Sequence, residues 1–268
     1  MKIVFMGTPD FSVPALEELA KVHQVAAVVT QQDRPKGRGH KMQYTPVKEK
    51  ALELNIPVYQ PEKVKNPEFV DILREINPDV IVVIAFGQIL SKEILDLPKY
   101  GCINVHASLL PKYRGAAPIQ WAVIDGEEET GVTTMYMAEG LDTGDVIDTA
   151  VIKLDEKETG GSLFDKLAIE GGKLIVETLS KLENGTATRT PQDDEKSSYA
   201  GKITKELGQI DFTKPAVTIE RLIRGLNPWP SAYTTLDGKA MKVWDATVEE
   251  GNVTEKPGEI VEIAKHYI

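Results

Sequence analysis

Short apolar runs and amphipathic stretches alternate along the first half of the chain. The apolar runs cover residues 2–6, 25–29, 56–59, 80–85 and 102–105. Between them, apolar residues recur at helical spacing over 11–20, 47–54 and 66–76. The run 80–85 is almost purely β-branched and lacks polar alternation, which is typical of a strand covered on both faces. Strands that alternate with helices predict an α/β fold with a doubly wound, mostly parallel sheet.

The pattern changes in the middle of the chain. Two apolar runs, 132–137 and 146–154, lie close together with Gly140 and Gly144 between them, which predicts a hairpin. A long amphipathic helix is expected over 163–182, ended by Asn184-Gly185. We place the end of the first domain at residue 189.

The composition turns polar after that helix, so residues 190–205 are predicted to form a linker to a second unit at 206–268. This unit begins with an apolar-patterned helix at 217–226. Strand-like runs follow it at 232–236, 241–246 and 259–263, the first two joined by an Asp237-Gly238 turn. The unit is therefore predicted to be a small β-rich domain. At about 60 residues it is expected to be incomplete or to lean on the first domain.

Charge and cysteine content exclude several classes of protein. Asp and Glu number 41 against 31 Lys and Arg, a net charge of −10, so the chain is not a basic nucleic-acid coat. A single cysteine, Cys102, excludes an internal disulfide and a multi-cysteine zinc site. The four histidines lack ligand spacing, so we expect no metal. No apolar run approaches the ~20 residues of a membrane span. We expect a cytoplasmic protein that does not enter a membrane.

The first strand leads into the turn Gly7-Thr8-Pro9-Asp10. A dinucleotide fingerprint requires three glycines at this junction, whereas only Gly7 is present and Pro9 lacks an amide donor. A nicotinamide or flavin cofactor is therefore disfavoured, and a tight turn without a ligand is the better interpretation.

Residues 33–41 concentrate basic side chains around two glycines, with Arg34, Lys36, Arg38 and Lys41 among them. Such a run is usually a solvated loop. On an acidic protein it is also suited to bind phosphates. The residues alone leave both interpretations open.

Asn104 and His106 are two residues apart on a predicted strand, so their side chains share one face at the edge where open α/β sheets bind ligands. Asp142 lies between Gly140 and Gly144 in the predicted hairpin loop. A structural hydrogen-bonded pair and an ordinary turn are the alternatives. In the catalytic interpretation, Asp142 fixes the tautomer of His106, and Asn104 donates to an oxyanion. Cys102 is interpreted as a packing residue.

The longer motifs around these residues are typical of one protein family. The segments 104–115 and 131–144 resemble the formyl-tetrahydrofolate-dependent formyltransferases, a family that includes the glycinamide ribonucleotide enzymes. The opening 5–11, the insertion 32–39 and the segment 224–230 resemble the methionyl-tRNA branch of that family. The resemblance runs essentially from end to end.

The resemblance implies a Rossmann-like formyltransferase domain with Asn104, His106 and Asp142 as the catalytic residues. It implies folate contacts at Phe86, Gly87, Gln88, Ile89, Leu90, Ser108, Leu109, Leu110, Pro111, Leu141 and Gly144. It also implies tRNA contacts at Arg34, Lys36, Arg38 and Lys41. The C-terminal domain would be an oligonucleotide-binding-type (OB-like) barrel along the tRNA, although that barrel is longer than 206–268.

The activity implied is transfer of the formyl group from 10-formyltetrahydrofolate to the α-amine of methionine on initiator tRNA, a step of translation initiation. The amine would attack directly, with the three catalytic residues stabilising a tetrahedral intermediate. We expect a monomer that uses folate as co-substrate and needs neither metal nor ATP. The alternatives are a formyltransferase for another amine, such as an amino sugar nucleotide or glycinamide ribonucleotide, and a non-catalytic folate- or RNA-binding module.

Overall fold

The computed structural model describes residues 1–36, 41–251 and 255–265. Its strands are β1 (Lys2–Gly7), β2 (Gln24–Val29), β3 (Arg34–Lys36), β4 (Lys41–Gln43), β5 (Val58–Tyr59), β6 (Val80–Ile84), β7 (Cys102–His106), β8 (Arg114–Gly115), β9 (Glu129–Tyr136), β10 (Val146–Lys153), β11 (Tyr199–Ala200), β12 (Ala232–Leu236) and β13 (Lys239–Val243). The α-helices are α1 (Val13–Val22), α2 (Pro46–Glu53), α3 (Pro67–Ile76), α4 (Lys92–Leu95), α5 (Pro118–Asp125), α6 (Gly160–Glu183) and α7 (Ala216–Gly225).

The main sheet has seven strands in the order β10-β9-β7-β6-β1-β2-β5. Strands β5, β2, β1, β6 and β7 are parallel, whereas β9 is antiparallel to both β7 and β10. The predicted mostly parallel sheet is therefore confirmed, and so is the hairpin that follows it.

Both faces of the sheet are covered, which explains why the run 80–85 shows no polar alternation. Val80, Val82 and Ile84 lie in one apolar core with the inner faces of α1, α2, α5 and α6. Ile81 and Val83 lie in a second core, on the other face, with α3 and α4. All five residues of β6 are at most 5% exposed. Burial on two sides selects a continuous apolar strand.

The C-terminal unit packs against the α/β part of the chain. Helix α7 packs against α5, and Ala117, Ile203 and Leu226 form a buried cluster with Trp121 at its edge. The predicted hairpin is present as β12–β13, and Gln209 forms a bridge with Tyr233. The predicted strand at 259–263 is wrong: within 255–265 the chain pairs with no strand. In the described part of this unit, the hairpin is the whole of the regular sheet.

In the described part of the chain, no helix combines the length and the apolar character that crossing a membrane requires.

Candidate active site

Strand β7 ends at His106, so its last residues lie at the carboxyl edge of the parallel strands. The chain leaves β9 beside the start of β7, where the Met137 amide donates to the Cys102 carbonyl, and re-enters the sheet at Val146 opposite Met135. The loop between β9 and β10 therefore has to fold back along β7 for Asp142 to reach its end. It does so, and the structure brings Asn104, His106 and Asp142 together.

Asp142 is the centre of this group. Its Oδ2 accepts a hydrogen bond of 2.9 Å from the Gly115 amide and lies 3.7 Å from Nδ1 of His106. Its Oδ1 lies 3.5 Å from Nδ2 of Asn104. The backbone of Asp142 is left-handed, at φ +52°, a conformation that Asp and Asn adopt more readily than most residues. The carboxylate is thus aimed at both β7 side chains while the Gly115 amide holds it.

The backbone of Tyr113 holds the imidazole. Nε2 of His106 lies 2.9 Å from the Tyr113 carbonyl oxygen. A carbonyl only accepts hydrogen bonds, so in the neutral ring Nε2 carries the proton and Nδ1 is the free base facing Asp142. From the sequence alone, Asp142 was expected to fix the tautomer of His106. That assignment is wrong, because a 3.7 Å separation exceeds a hydrogen bond and the Tyr113 carbonyl sets the tautomer instead.

Tyr113 is itself fixed at three points. Its amide donates to Oγ of Ser198 at 2.8 Å, and its hydroxyl lies 2.9 Å from Asp125 and 2.8 Å from Glu127. Burial, together with these two carboxylates, raises the pKa of Tyr113. Although burial opposes it, hydrogen bonds from Lys112 and Tyr113 hold the pKa of Glu127 below its usual value. The carbonyl that orients His106 therefore belongs to an anchored residue.

Residues 86–90 follow β6 at the same edge. The Phe86 ring is buried, and the Phe86 backbone carbonyl accepts from Oγ1 of Thr8 at 3.0 Å and from the side-chain Nε2 of Gln31 at 3.1 Å. Gln88 accepts from the Val64 amide at 2.7 Å. Leu90 is buried, whereas Gly87, with φ +84°, and Ile89 are exposed, Ile89 by 88%. This segment presents an apolar side chain on an anchored backbone.

The other predicted folate residues also divide into buried and exposed ones. Ser108 is buried, and its hydroxyl donates to the Lys112 carbonyl at 2.7 Å, within its own loop. Leu110 is buried too, whereas Leu109 and Pro111 are half-buried. Leu141 is 60% exposed. Gly144 is required by packing, because a Cβ there would stand 1.7 Å from the Tyr136 carbonyl oxygen.

The basic segment forms a β-hairpin, β3 with β4, in which Lys36 is paired with Lys41. Arg34 is exposed, and Arg38 lies outside the described residues. At the base of the hairpin, Asp33 pairs with Lys48 at 2.5 Å. Burial opposes ionisation there, but hydrogen bonds from Lys48 and Gln60 keep the pKa of Asp33 below its usual value. Since Gln31 reaches the Phe86 carbonyl, the hairpin rises from the edge of the sheet that carries 86–90.

Cys102 is buried, and burial raises the pKa of its thiol to about 12. It forms part of the wall of a groove of about 620 Å³ that Glu139 and Arg189 also border. A thiol that stays protonated is a poor nucleophile, in agreement with a packing role. Among the described residues, no three His, Cys, Asp or Glu side chains are arranged to hold a metal ion.

Matches to two protein-family models identify the family of this chain. A model described as "Formyl transferase" matches residues 1–179, and one described as "Formyl transferase, C-terminal domain" matches residues 202–268. The chain belongs to the formyl transferase family. Similar proteins place this formyl transferase in the methionyl-tRNA branch that its motifs predicted.

A methionyl-tRNA formyltransferase of Agathobacter rectalis is 62% identical over 267 residues, which are 99% of this chain and 86% of that protein. One of Clostridioides difficile is 56% identical, with the same two coverages. Among solved structures, an N-formyltransferase from Helicobacter canadensis in complex with folinic acid and dTDP-3-aminofucose has a TM-score of 0.68 at 22% identity, covering 91% of this chain and 86% of that one. Glycinamide ribonucleotide transformylase 1 of Symbiobacterium toebii has a TM-score of 0.60 at 17% identity, with coverages of 72% and 93%. These two structures share the fold.

Sequence reasoning missed the groups that support the three side chains of this formyl transferase. They are the Tyr113 carbonyl, the Gly115 amide, and Gln192 and Ser198 from the polar segment after α6. A backbone group leaves no side-chain signal. Gly115 has a φ of +117°, a conformation that favours glycine, so the presence of a glycine in this loop was a signal that the sequence did offer.

Proposed function

We propose that this formyl transferase moves the formyl group of 10-formyltetrahydrofolate to the α-amine of methionine on initiator tRNA. The observation that carries the proposal is the near-full-length identity to proteins named for that substrate, 62% and 56%. By contrast, two solved structures, one bound to an amino sugar nucleotide and one named for glycinamide ribonucleotide, are only 22% and 17% identical to this chain. The convergence of Asn104, His106 and Asp142 at one edge of the sheet is consistent with acyl transfer.

The amine nitrogen forms a bond to the formyl carbon, and the bond from that carbon to N10 breaks after a tetrahedral intermediate. Nδ1 of His106 is the free base of the neutral ring, so it takes the proton that leaves the amine and returns one to N10. Asp142, 3.7 Å away, balances the charge of the protonated ring. A primary amide has two N–H bonds, so the contact of Asn104 with Asp142 leaves one for the oxyanion.

The folate donor would lie against residues 86–90, 108–111 and 141–144. The exposed apolar side chains of Ile89 and Leu141 are suited to contact a flat ring, while Phe86, Ser108 and Leu110 shape the loops from within. A formyl amide on N10 is already an acyl donor and the amine is a nucleophile. We therefore propose that the reaction needs neither a metal ion nor ATP.

The basic hairpin would contact the acceptor end of the tRNA through Arg34, Lys36, Arg38 and Lys41. Its role is supported by its position at the edge of the sheet that carries residues 86–90, on a chain with a net charge of −10. We further propose a formyltransferase domain at 1–189, a connecting segment at 190–205 and a tRNA-binding, OB-like unit at 206–268, acting as a monomer in the cytoplasm.

The test is a transfer assay with the purified chain, 10-formyltetrahydrofolate and charged initiator tRNA, followed by detection of formylmethionine on the tRNA. Glycinamide ribonucleotide and a dTDP-amino sugar serve as competing acceptors. Formyl transfer to methionyl-tRNA alone is the expected result. Transfer only to one of the other amines would replace the proposed acceptor, and folate binding without transfer to any amine would indicate a binding module.

A further inference from the structure

The polar segment that follows α6 crosses the candidate active site. At one end, Thr190 exchanges two backbone hydrogen bonds of 2.9 Å with Val146, the first residue of β10. At the other end, β11 pairs in parallel with β8. We call residues 190–200 the brace segment. It touches the two chain segments that hold the catalytic group, the β9–β10 loop and residues 113–115.

Gln192 is the residue of the brace segment that connects these two parts. Its Nε2 donates to the backbone carbonyls of Asp142, at 2.9 Å, and Gly144, at 2.7 Å. Its Oε1 accepts from Nε and Nη2 of Arg114, at 3.0 and 2.8 Å. A primary amide has two donors and two acceptor lone pairs, so Gln192 uses its full capacity on this junction. Neither a glutamate nor an apolar side chain of similar size can reproduce the set.

The loop that Gln192 holds needs such support. Leu141 and Thr143 are exposed on either side of Asp142, whose backbone is left-handed. The side chain of Asp142 is held by the Gly115 amide, and Arg114 precedes that amide. By bonding to the Asp142 carbonyl and to Arg114 at once, Gln192 fixes both sides of the contact between Asp142 and Gly115.

The geometry points to Gln192 as a positioning residue for formyl transfer, acting through Asp142. This inference rests on the proposed function, because it assigns Gln192 to that reaction. A displacement of a catalytic group by about 1 Å can cost about 10²-fold in rate. Loss of the amide is therefore expected to appear in turnover rather than in tRNA affinity.

The first experiment compares Gln192→Met with Asp193→Ala. Methionine keeps the length of the side chain but removes all four hydrogen bonds. The control changes the next residue, whose carboxylate caps Glu195 at 3.2 Å and pairs with Lys196 at 3.0 Å. We expect kcat of Gln192→Met to fall about tenfold or more with an unchanged KM for tRNA, and Asp193→Ala to keep the kcat of the unaltered chain. An unchanged kcat in Gln192→Met would overturn the inference.

A double-mutant cycle separates positioning from general support of the fold. If Gln192 acts through Asp142, Gln192→Met adds less than about twofold to the loss in an Asp142→Asn background, because that pathway is already removed. Losses that simply multiply would overturn the inference, since a purely structural contribution is independent of the Asp142 carboxylate.

Amide hydrogen exchange gives a readout that needs no substrate. The Gly115 amide and the amides of 140–145 are expected to exchange faster in Gln192→Met than in Asp193→Ala. Identical exchange in the two variants would overturn the inference whatever the activity. If the unaltered chain fails to formylate methionyl-tRNA, the proposed function fails, while this exchange comparison still decides whether Gln192 holds the loop.

Discussion

Nε2 of His106 donates to the carbonyl oxygen of Tyr113 across 2.9 Å, and this contact decides which ring nitrogen is available for chemistry. With Nε2 protonated, the lone pair of the neutral ring is on Nδ1, the atom that faces Asp142 at 3.7 Å. A proton accepted at Nδ1 would therefore lie next to the Asp142 carboxylate. The ring is held by a neutral backbone group on one side and faces a carboxylate on the other.

Asp142→Asn tests this arrangement. The amide has the size of the carboxylate, and asparagine tolerates the left-handed backbone at this position. We expect kcat for formyl transfer to fall by about 10²- to 10⁴-fold, because protonated His106 loses its counter-charge. The KM for the folate is expected to change little. Steady-state kinetics with methionyl-tRNA as acceptor measure both constants.

Asp145→Asn is the matched control for this variant. Asp145 is a carboxylate on the same loop, but its partner is Arg189, at 3.1 Å. Its turnover should stay close to that of the unaltered chain. Equal rates for the two variants would show that the Asp142 carboxylate has no special part in the reaction.

Tyr113→Phe tests how the carbonyl that orients His106 is anchored. The variant removes the hydroxyl that Asp125 and Glu127 share but keeps the backbone. We expect the free energy of unfolding to fall by about 1 kcal/mol, the usual net contribution of a hydrogen bond, because Asp125 is exposed and Glu127 half-buried, so water can replace the lost donor. Turnover should fall far less than in Asp142→Asn, because the Tyr113 carbonyl remains.

Urea unfolding and kinetics of the same preparation check both parts of this expectation. Tyr199→Phe provides the control, since Tyr199 is 69% exposed and its hydroxyl can bond to water. If Tyr113→Phe were as stable as Tyr199→Phe, the carboxylate contacts would have no measurable role in holding the loop.

The sequence was sufficient to predict the sheet and the shared face of two of the three candidate catalytic residues. The unbroken apolar run at 80–85 required cover on both faces, and the two cores provide it. The two-residue spacing of Asn104 and His106 put their side chains on one face of β7. These features are local, so periodicity was sufficient to predict them.

The approach of Asp142 depended on non-local structure that periodicity does not encode. The β9–β10 loop has to fold back along β7, and the Gly115 amide that receives Asp142 comes from a separate loop. Gln192 belongs to a polar stretch whose composition is typical of a linker. The pairing of β11 with β8 and the bridge between Thr190 and Val146 bring that stretch to the site. The strand predicted at 259–263 failed because an apolar alternation alone supplies no partner strand.

Arg34→Ala tests the basic hairpin. If Arg34 contacts a phosphate of the tRNA, removing its charge should raise the KM for tRNA and reduce the slope of log KM against log salt by about 0.7–0.9. The KM for the folate should not change. Measuring KM for methionyl-tRNA at several salt concentrations provides the slope.

Lys173→Ala is the control for charge alone, since Lys173 is exposed on α6 and pairs with Glu170. Both variants change the net charge by the same amount, so a general electrostatic effect would alter both slopes equally. Equal slopes in the two variants would assign the hairpin to the solvated surface.

The dependence of stability on alkaline pH tests the burial of Cys102. Its pKa is raised from 9.0 to about 12 in the folded chain. Between these values the unfolded thiol has lost its proton and the folded thiol has kept it, so the unfolded state binds fewer protons. The free energy of unfolding therefore falls as the pH rises through this window, by about 1.4 kcal/mol for each pH unit from this group.

Cys102→Ala removes the contribution of the thiol to this pH dependence. Burial also raises the pKa values of Tyr113 and Tyr136, which act in the same direction in both proteins, so the difference between the two slopes isolates the thiol. Urea unfolding at pH 8, 9, 10 and 11 should show the unaltered chain losing stability more steeply than Cys102→Ala above pH 9. Parallel losses would mean that the thiol ionises as readily in the folded chain as in the unfolded one, and that water reaches the start of β7.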